Sequence, residues 1–419
     1  MGSSQSAPPA LPPRASASLS HLLLTLGQQQ QQQQGDDDND TVNWLDVEML
    51  LKAQPEQASL YCHFVDPSPL QIALRLSQQQ QNQQQEQQMM MMIPQQQQQQ
   101  PIPVSCVRAF IQAYEDALDH TDALGNTVVH TSVDGTVGEV RDIVNVLLSS
   151  CRTSHCASGL ASRRNGQGRV PLHMDIREYE VAEIVVRHFP DGVKSRDFGG
   201  QTPLHCALAR EDVPVSVLRI LLNQETVRVR NKRGLTPIDC LGQKLDLMLQ
   251  RSDIHHLLPD YWKLFEDMIH MVANGEPKLH TILDLASPVH VVLHALEHFP
   301  EDASQRDSLG RTPLHMVASA SPGSSSCQTT ILAHLLRVYP EAARMTDNEG
   351  RLAIDLAAEH GHSGDVMELL VLAEPRAVDT RDLRDKFYPF LAAALNANVS
   401  TTYHLLRAKP HVISYFNLN

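Results

Sequence analysis

A turn-and-helix-start signature returns along this chain, and that recurrence limits the fold more than any other feature. Its fullest copy is Asp197-Phe198-Gly199-Gly200-Gln201-Thr202-Pro203-Leu204-His205-Cys206-Ala207. Gly199 and Gly200 suit a tight turn that needs positive φ. Thr202 suits an N-cap, and Pro203 the first helical position, where an N–H would be unpaired anyway. Leu204 and Ala207 then open an apolar face at helical spacing. Close copies are Gly310-Arg311-Thr312-Pro313-Leu314-His315 and Gly234-Leu235-Thr236-Pro237-Ile238-Asp239. Looser ones begin at Gly125, Gly168 and Gly350.

The signature Leu positions are 32 residues apart from Leu172 to Leu204 and 34 from Leu204 to Ile238. The 76 residues from Ile238 to Leu314 hold two units, one of them degenerate around Leu279–Leu285. A Ser/Gly/Pro loop at 319–327 explains the wider step from Leu314 to Ile354. The second half of each unit closes on an aromatic and a proline, as in Phe189-Pro190, Phe299-Pro300 and Tyr339-Pro340. There the proline ends the helix.

These residues resemble the ankyrin repeat: a period near 33, a β-turn with two antiparallel helices, and the T-P-L-H-x-A signature. Thr202–Ala207 matches that signature in full, Thr312–Val317 departs at its sixth position, and Glu359–Leu370 resembles the inter-helix Gly-His turn and second helix. The resemblance implies an all-α fold, an ankyrin-type α-solenoid of stacked helix-turn-helix units with β-turn fingers, over residues 41–416 in about nine units, several degenerate. It also implies a non-catalytic scaffold or adaptor that binds partner proteins across a concave finger-and-helix surface. The candidate protein-binding residues are then the positions between the signature residues. They are Leu124 and Asn126, Gln167 and Arg169, Phe198 and Gln201, and Lys232, Arg233 and Leu235. Ser308, Leu309 and Arg311, with Asn348, Glu349 and Arg351, complete the set.

Two low-complexity stretches interrupt this pattern. Residues 1–40, rich in Ser, Pro, Gln and Asp, bury too little apolar surface to fold and are expected to be disordered. The Gln/Met-rich segment 76–104 reads as a loop inserted within one unit. Leu70 and Val129 are 59 residues apart, and the excess over one period matches the length of that segment. Met1-Gly2-Ser3-Ser4-Gln5-Ser6 fits an N-myristoylation pattern at Gly2, so membrane contact is expected only if Gly2 is modified.

Aromatics make up 5% of the chain and hydrophobics 42%, a balance that suits thin helix layers better than one thick core. A net charge of −14 excludes a general polyanion binder, and no nucleic acid is expected. Seven scattered Cys imply no disulfide framework and an intracellular, cytoplasmic setting. Twenty-one His invite an enzymatic reading. His130, His173, His205 and His315, however, share one unit position, where a structural bond to nearby backbone accounts for them. Cys151, His155 and Cys156 lack a second ligand pair for zinc. No catalytic residue, metal or cofactor is expected. The competing class is a catalytic or regulatory chain with a site in 241–300, which requires a cleft with converging polar groups there.

Two other features remain. Arg163, Arg164, Arg169, Arg228, Arg230, Lys232, Arg233, Arg306, Arg311 and Arg351 give the turns a basic skew. It suits acidic or phosphorylated partner segments, unless nearby Asp and Glu already balance it. Across 250–275, Tyr261, Leu264, Phe265, Met268 and Val272 form one helical stripe, a candidate extra amphipathic helix whose apolar face suits packing more than partner binding.

Overall fold

The computed structural model describes residues 47–49, 52, 70, 71, 74, 102–113, 118–134, 140–149, 157–211, 213–251, 255–321, 325–380, 388–396 and 398–410. Gly2, the 1–40 segment, most of the Gln/Met-rich insertion and the Cys151/His155/Cys156 group lie outside them. The far end of the predicted insertion does not: Ile102 is fully buried and Val104 begins a helix, so the folded chain resumes before residue 104. Apolar Ile102 has more to gain from that core than from a solvated loop.

Among the described residues the chain is helical, with no strand beyond the isolated bridges Thr121–Thr127 and Thr346–Leu352. It divides into two compact units, Met1–Gly234 and Leu235–Asn419. In the first, α1 (Val104–Ala113), α2 (Val128–Val133), α3 (Val140–Ser149), α4 (Ala157–Ser162), α5 (Tyr179–His188), α6 (Pro203–Leu208) and α7 (Val215–Leu221) follow in order. Helices α1, α3, α5 and α7 form one row, each against the next. A second row runs through α2, the short 3-10 turn Pro171–His173 and α6. Between the rows lie Val144, Leu147, Leu172, Val185, Leu204 and Leu218, all fully buried.

The second unit contains α8 (Pro237–Gln250), α9 (Leu258–Val272), α10 (Lys278–Asp284), α11 (Val289–His298), α12 (Pro313–Ser319), α13 (Ser325–Val338), α14 (Ala353–Glu359), α15 (Gly364–Ala373), α16 (Pro389–Leu395) and α17 (Val399–Ala408). Helices α10, α12, α14 and α16 form one row and α11, α13, α15 and α17 the other. Helix α9 stands outside this rhythm, packed on α8 and α10. Its Tyr261, Leu264, Phe265 and Met268 are buried, together with Trp262 and Ile269. The apolar stripe within 250–275 therefore faces the core of its own unit.

The aromatic-proline pairs do more than stop a helix. Phe189, Phe299 and Tyr339 cap α5, α11 and α13, and the proline after each opens a 3-10 turn. Its fixed φ suits that start, and its missing N–H would have no intrahelical partner there. Among the described residues no helix is long and apolar enough to cross a membrane.

Candidate functional site

Each turn preceding a signature is built around one Asp or Asn. In the first, the Gly125 N–H donates to the Asp122 carbonyl (2.7 Å) and the Asp122 N–H to the Asn126 carbonyl (3.0 Å). The Asp122 Oδ1 accepts from the N–H groups of Leu124 and Asn126. This is a type I turn closed by a glycine in the left-handed region, with φ of 75° at Gly125. Asn165, Asp197, Asn231, Asp307 and Asp347 organise the later turns the same way, each three residues before a glycine with positive φ. The spacing of Asp or Asn to Gly is the sequence signal for these turns, beside the more distinctive Thr-Pro-Leu-His.

The fingers are also bonded to one another. The N–H groups of Gly166, Phe198 and Lys232 donate to the carbonyls of Leu124, Gln167 and Gly199 in the preceding turn. In the second unit the Asn348 N–H donates to Leu309. Close approach accounts for one glycine in particular: a Cβ on Gly168 would lie 2.6 Å from the Phe198 ring.

Arginines reinforce this stack, which explains the basic skew. Arg164 donates to the carbonyls of Gly168 (2.8 Å) and Arg196 (2.6 Å), and Arg196 to those of Gly200 and Arg230 (2.6 Å). Arg230 donates to Gly234 and Arg306 to Thr346. Arg169 pairs with Asp197, Arg311 with Asp307, and Arg351 with Asp347. Burial raises the Asp347 carboxyl, but the hydrogen bonds and charge of Arg351 outweigh it and hold Asp347 below its ordinary range. The recurring Arg-Asp/Asn-x-x-Gly pattern at 164, 196, 230 and 306 was the sequence signal for this ladder.

At the signature itself, the His205 Nδ1 accepts from the Thr202 N–H (3.2 Å) and lies 2.9 Å from the Thr202 hydroxyl. His130, His173 and His315 accept from Thr127, Val170 and Thr312 in the same way. Their Nε2 atoms face the carbonyls of Arg169, Gln201 and Arg351, one unit on. A carbonyl only accepts, so each ring carries its proton on Nε2. Burial pushes all three pKa values down, that of His173 to about 4. Both ring nitrogens are occupied in holding the fold.

The candidate binding residues separate into three groups. Leu124, Phe198 and Leu309 project from the fingertips, 63%, 65% and 56% exposed. Gln167, Lys232, Arg233, Ser308, Asn348 and Glu349 are exposed beside them, and Lys232 and Arg233 have no ion pair among the described residues. Gln201, Leu235, Arg169, Arg311 and Arg351 are half-buried, the three arginines in the pairs above. Asn126 is a correction: it is buried, bonded to Asp122 and Asn165, and unavailable to a partner.

The degenerate stretch does contain a cleft. A cavity of about 340 Å³ lies within the second unit, between the end of α9, α10 and the Asp307–Gly310 turn. Glu276, His280, Asp284, Asp307, Ser308 and Arg311 supply its polar wall. His280 Nε2 faces the Arg311 carbonyl at 3.0 Å, while its buried Nδ1 has no hydrogen-bond partner. Pro277 stands where the other units have a residue with an N–H for this nitrogen. Asn274 and Thr281 complete the polar lining, so the wall presents donors as well as acceptors.

No family model matches the chain, and no curated protein matches it. Among solved structures it is similar to one chain of a complex between a predatory endopeptidase of Bdellovibrio bacteriovorus and an immunity protein. Identity is 14% over 55% of this chain and 92% of that one, with a TM-score of 0.23. A likeness that loose carries no argument about fold or activity.

Proposed function

We propose that this chain is an ankyrin-like repeat protein, a non-catalytic scaffold that binds partner proteins along its fingers. The observation that carries the reading is the exposure of Leu124, Phe198 and Leu309 at the fingertips. Each large apolar side chain sits on a turn whose backbone is already fixed by its Asp and by the neighbouring finger. Presenting apolar anchors on a preformed support lowers the ordering cost of association. The bracing bonds of His130, His173, His205 and His315 account for the histidines at the signature position.

The acidic-partner idea narrows under the same geometry. Arg164, Arg196, Arg230 and Arg306 are committed to backbone carbonyls, which leaves Lys232 and Arg233 as the cations most available to a partner carboxylate. Membrane attachment through Gly2 is a separate matter, decided by intact mass after co-expression with an N-myristoyltransferase.

The test is capture from native cells with the full chain and with Leu124→Ser, Phe198→Ser and Leu309→Ser combined. We expect the variant to lose the proteins retained by the wild type while keeping its helical circular dichroism and melting temperature. Equal capture by both would remove the fingertips from the mechanism.

A further inference from the structure

Three successive turns of the first unit, 164–169, 196–201 and 230–235, hold six cations and one carboxylate. That carboxylate, Asp197, is buried and paired with Arg169 at 3.2 Å. Arg164, Arg196 and Arg230 donate to backbone carbonyls, which fixes their guanidinium groups without neutralising them. A guanidinium has five N–H donors, so each keeps others for a partner. Lys232 and Arg233 are exposed, and their side chains have no partner among the described residues. From Arg163 to Gly234 the sequence carries thirteen Lys and Arg against nine Asp and Glu, in a chain whose net charge is −14. The local sign is opposite to that of the whole.

Phe198 stands in the middle of these charges. Its N–H donates to Gln167 in the turn before, and its ring lies on Gly168. Arg164 donates to the carbonyls of Gly168 and Arg196, so its guanidinium is held between the turn of Gly168 and the turn of Phe198. The Lys232 N–H donates to Gly199, which places Lys232 and Arg233 on the turn that follows. The ring itself is 65% exposed. We propose that this finger docks a partner segment in which an apolar side chain is flanked on both sides by Asp or Glu. The apolar side chain covers the exposed Phe198 ring, and the flanking carboxylates meet Arg164 on one side and Lys232 with Arg233 on the other. These cations belong to separate turns and do not converge on one point. That spacing suits single carboxylates spread along a segment better than one doubly charged phosphate. The assignment rests on the interaction reading above and gives its partner a chemistry.

The test is fluorescence anisotropy with the full chain and dye-labelled, capped peptides. The probes are Gly-Glu-Glu-Leu-Glu-Glu-Gly, its glutamine counterpart, a version with Ser in place of Leu, and a phosphoserine version of the glutamine peptide with matched charge. The acidic peptide should bind about tenfold or more tightly than the glutamine peptide, and should weaken as salt rises from about 0.05 to 0.3 M. Lys232→Gln with Arg233→Gln should remove most of that difference, and Phe198→Ser should remove the preference for Leu over Ser. Both variants should keep the wild-type melting temperature, because the altered side chains are exposed. Undetectable binding of the acidic peptide, equal binding of the acidic and glutamine peptides, or an undiminished difference in the double variant overturns the proposal. So does equal affinity for the Leu and Ser peptides, which would remove the ring from the site. Tighter binding of the phosphoserine peptide than of the acidic one overturns the carboxylate assignment. Capture from cells is read separately: if the fingertip variants lose capture while the acidic peptide binds no better than the glutamine one, this proposal alone falls.

Discussion

His130, His173 and His315 each place Nδ1 on their own helix start and Nε2 on a carbonyl of the next unit, so the side chain joins two units. Asp239 and Asp355 accept from the N–H groups of Thr236 and Leu352, at 2.8 and 2.9 Å, and so perform the local half of this task. A carboxylate has no proton to offer the next carbonyl. Gln71, at the equivalent point of Ser68-Pro69-Leu70-Gln71, performs the distant half: its Nε2 donates to the Asn126 carbonyl at 2.8 Å. Because burial lowers the imidazole pKa values, the fold requires neutral rings. As pH falls through 6.5, the unfolded chain binds protons that the folded chain refuses, so stability is complete above 6.5 and declines until the folded pKa, about 4 for His173. That single group accounts for roughly 3 kcal/mol. Glu374 and Asp347, whose pKa values are also depressed, add their loss only below their ordinary values of 4.5 and 3.8. Urea midpoints from pH 7 to 4.5 should therefore fall steadily, and His173→Gln should flatten that slope, because glutamine can donate and accept without titrating. A wild-type midpoint constant over this interval would contradict the assignment.

At the scale of elements, much was legible because periodicity reports it. The Thr-Pro-Leu-His starts appear as α6 and α12, and the stripe from Tyr261 appears as α9. What hydropathy periodicity does not report is polar and local: the Asp or Asn at the base of each finger and the arginine ladder, both carried by the Arg-Asp/Asn-x-x-Gly spacing, and the burial of Asn126. Hydropathy carries no trace of these, since a buried Asn and an exposed one read alike until their partners are known. The orphaned Nδ1 of His280 was hidden for a related reason, because it follows from Pro277 having no N–H to supply. Helix α9 offers a direct contrast between apolar and polar burial. Phe265 is 1% exposed, and Phe265→Ala should cost about 3–5 kcal/mol through lost contacts and a cavity. Trp262 is nearly as buried, but its Nε1–H has no hydrogen-bond partner, and its ring lies 4.5 Å from that of His294, measured between centroids. Trp262→Phe removes that orphan donor and keeps most of the ring, so it should cost much less than Phe265→Ala. Chemical denaturation of the two variants under one buffer decides the order, and a larger loss for Trp262→Phe would assign a hidden role to the indole nitrogen.

For the whole molecule, what matters is how far a local loss travels. In the second unit α16 and α17 pack on α14 and α15, and each earlier pair packs chiefly on its own neighbours. An array held by neighbour contacts loses stability at its end in proportion to the interface removed, whereas one shared core fails as a body. Helices α14 and α15 are the ones on which the last pair packs, so removing that pair uncovers part of their packed surface. A chain truncated after Thr380 should therefore remain folded. It should keep the mean-residue ellipticity of its remaining helices, melt cooperatively at a lower temperature, and show new hydrogen exchange confined to α14 and α15. Exchange in α10 and α11, two pairs away, should stay at its full-length rate. Collapse of the ellipticity, or exchange spread evenly through the second unit, would instead mean that its helices share one indivisible core. Stability would then not be a sum of neighbour contacts, and the chain would not be a repeat array.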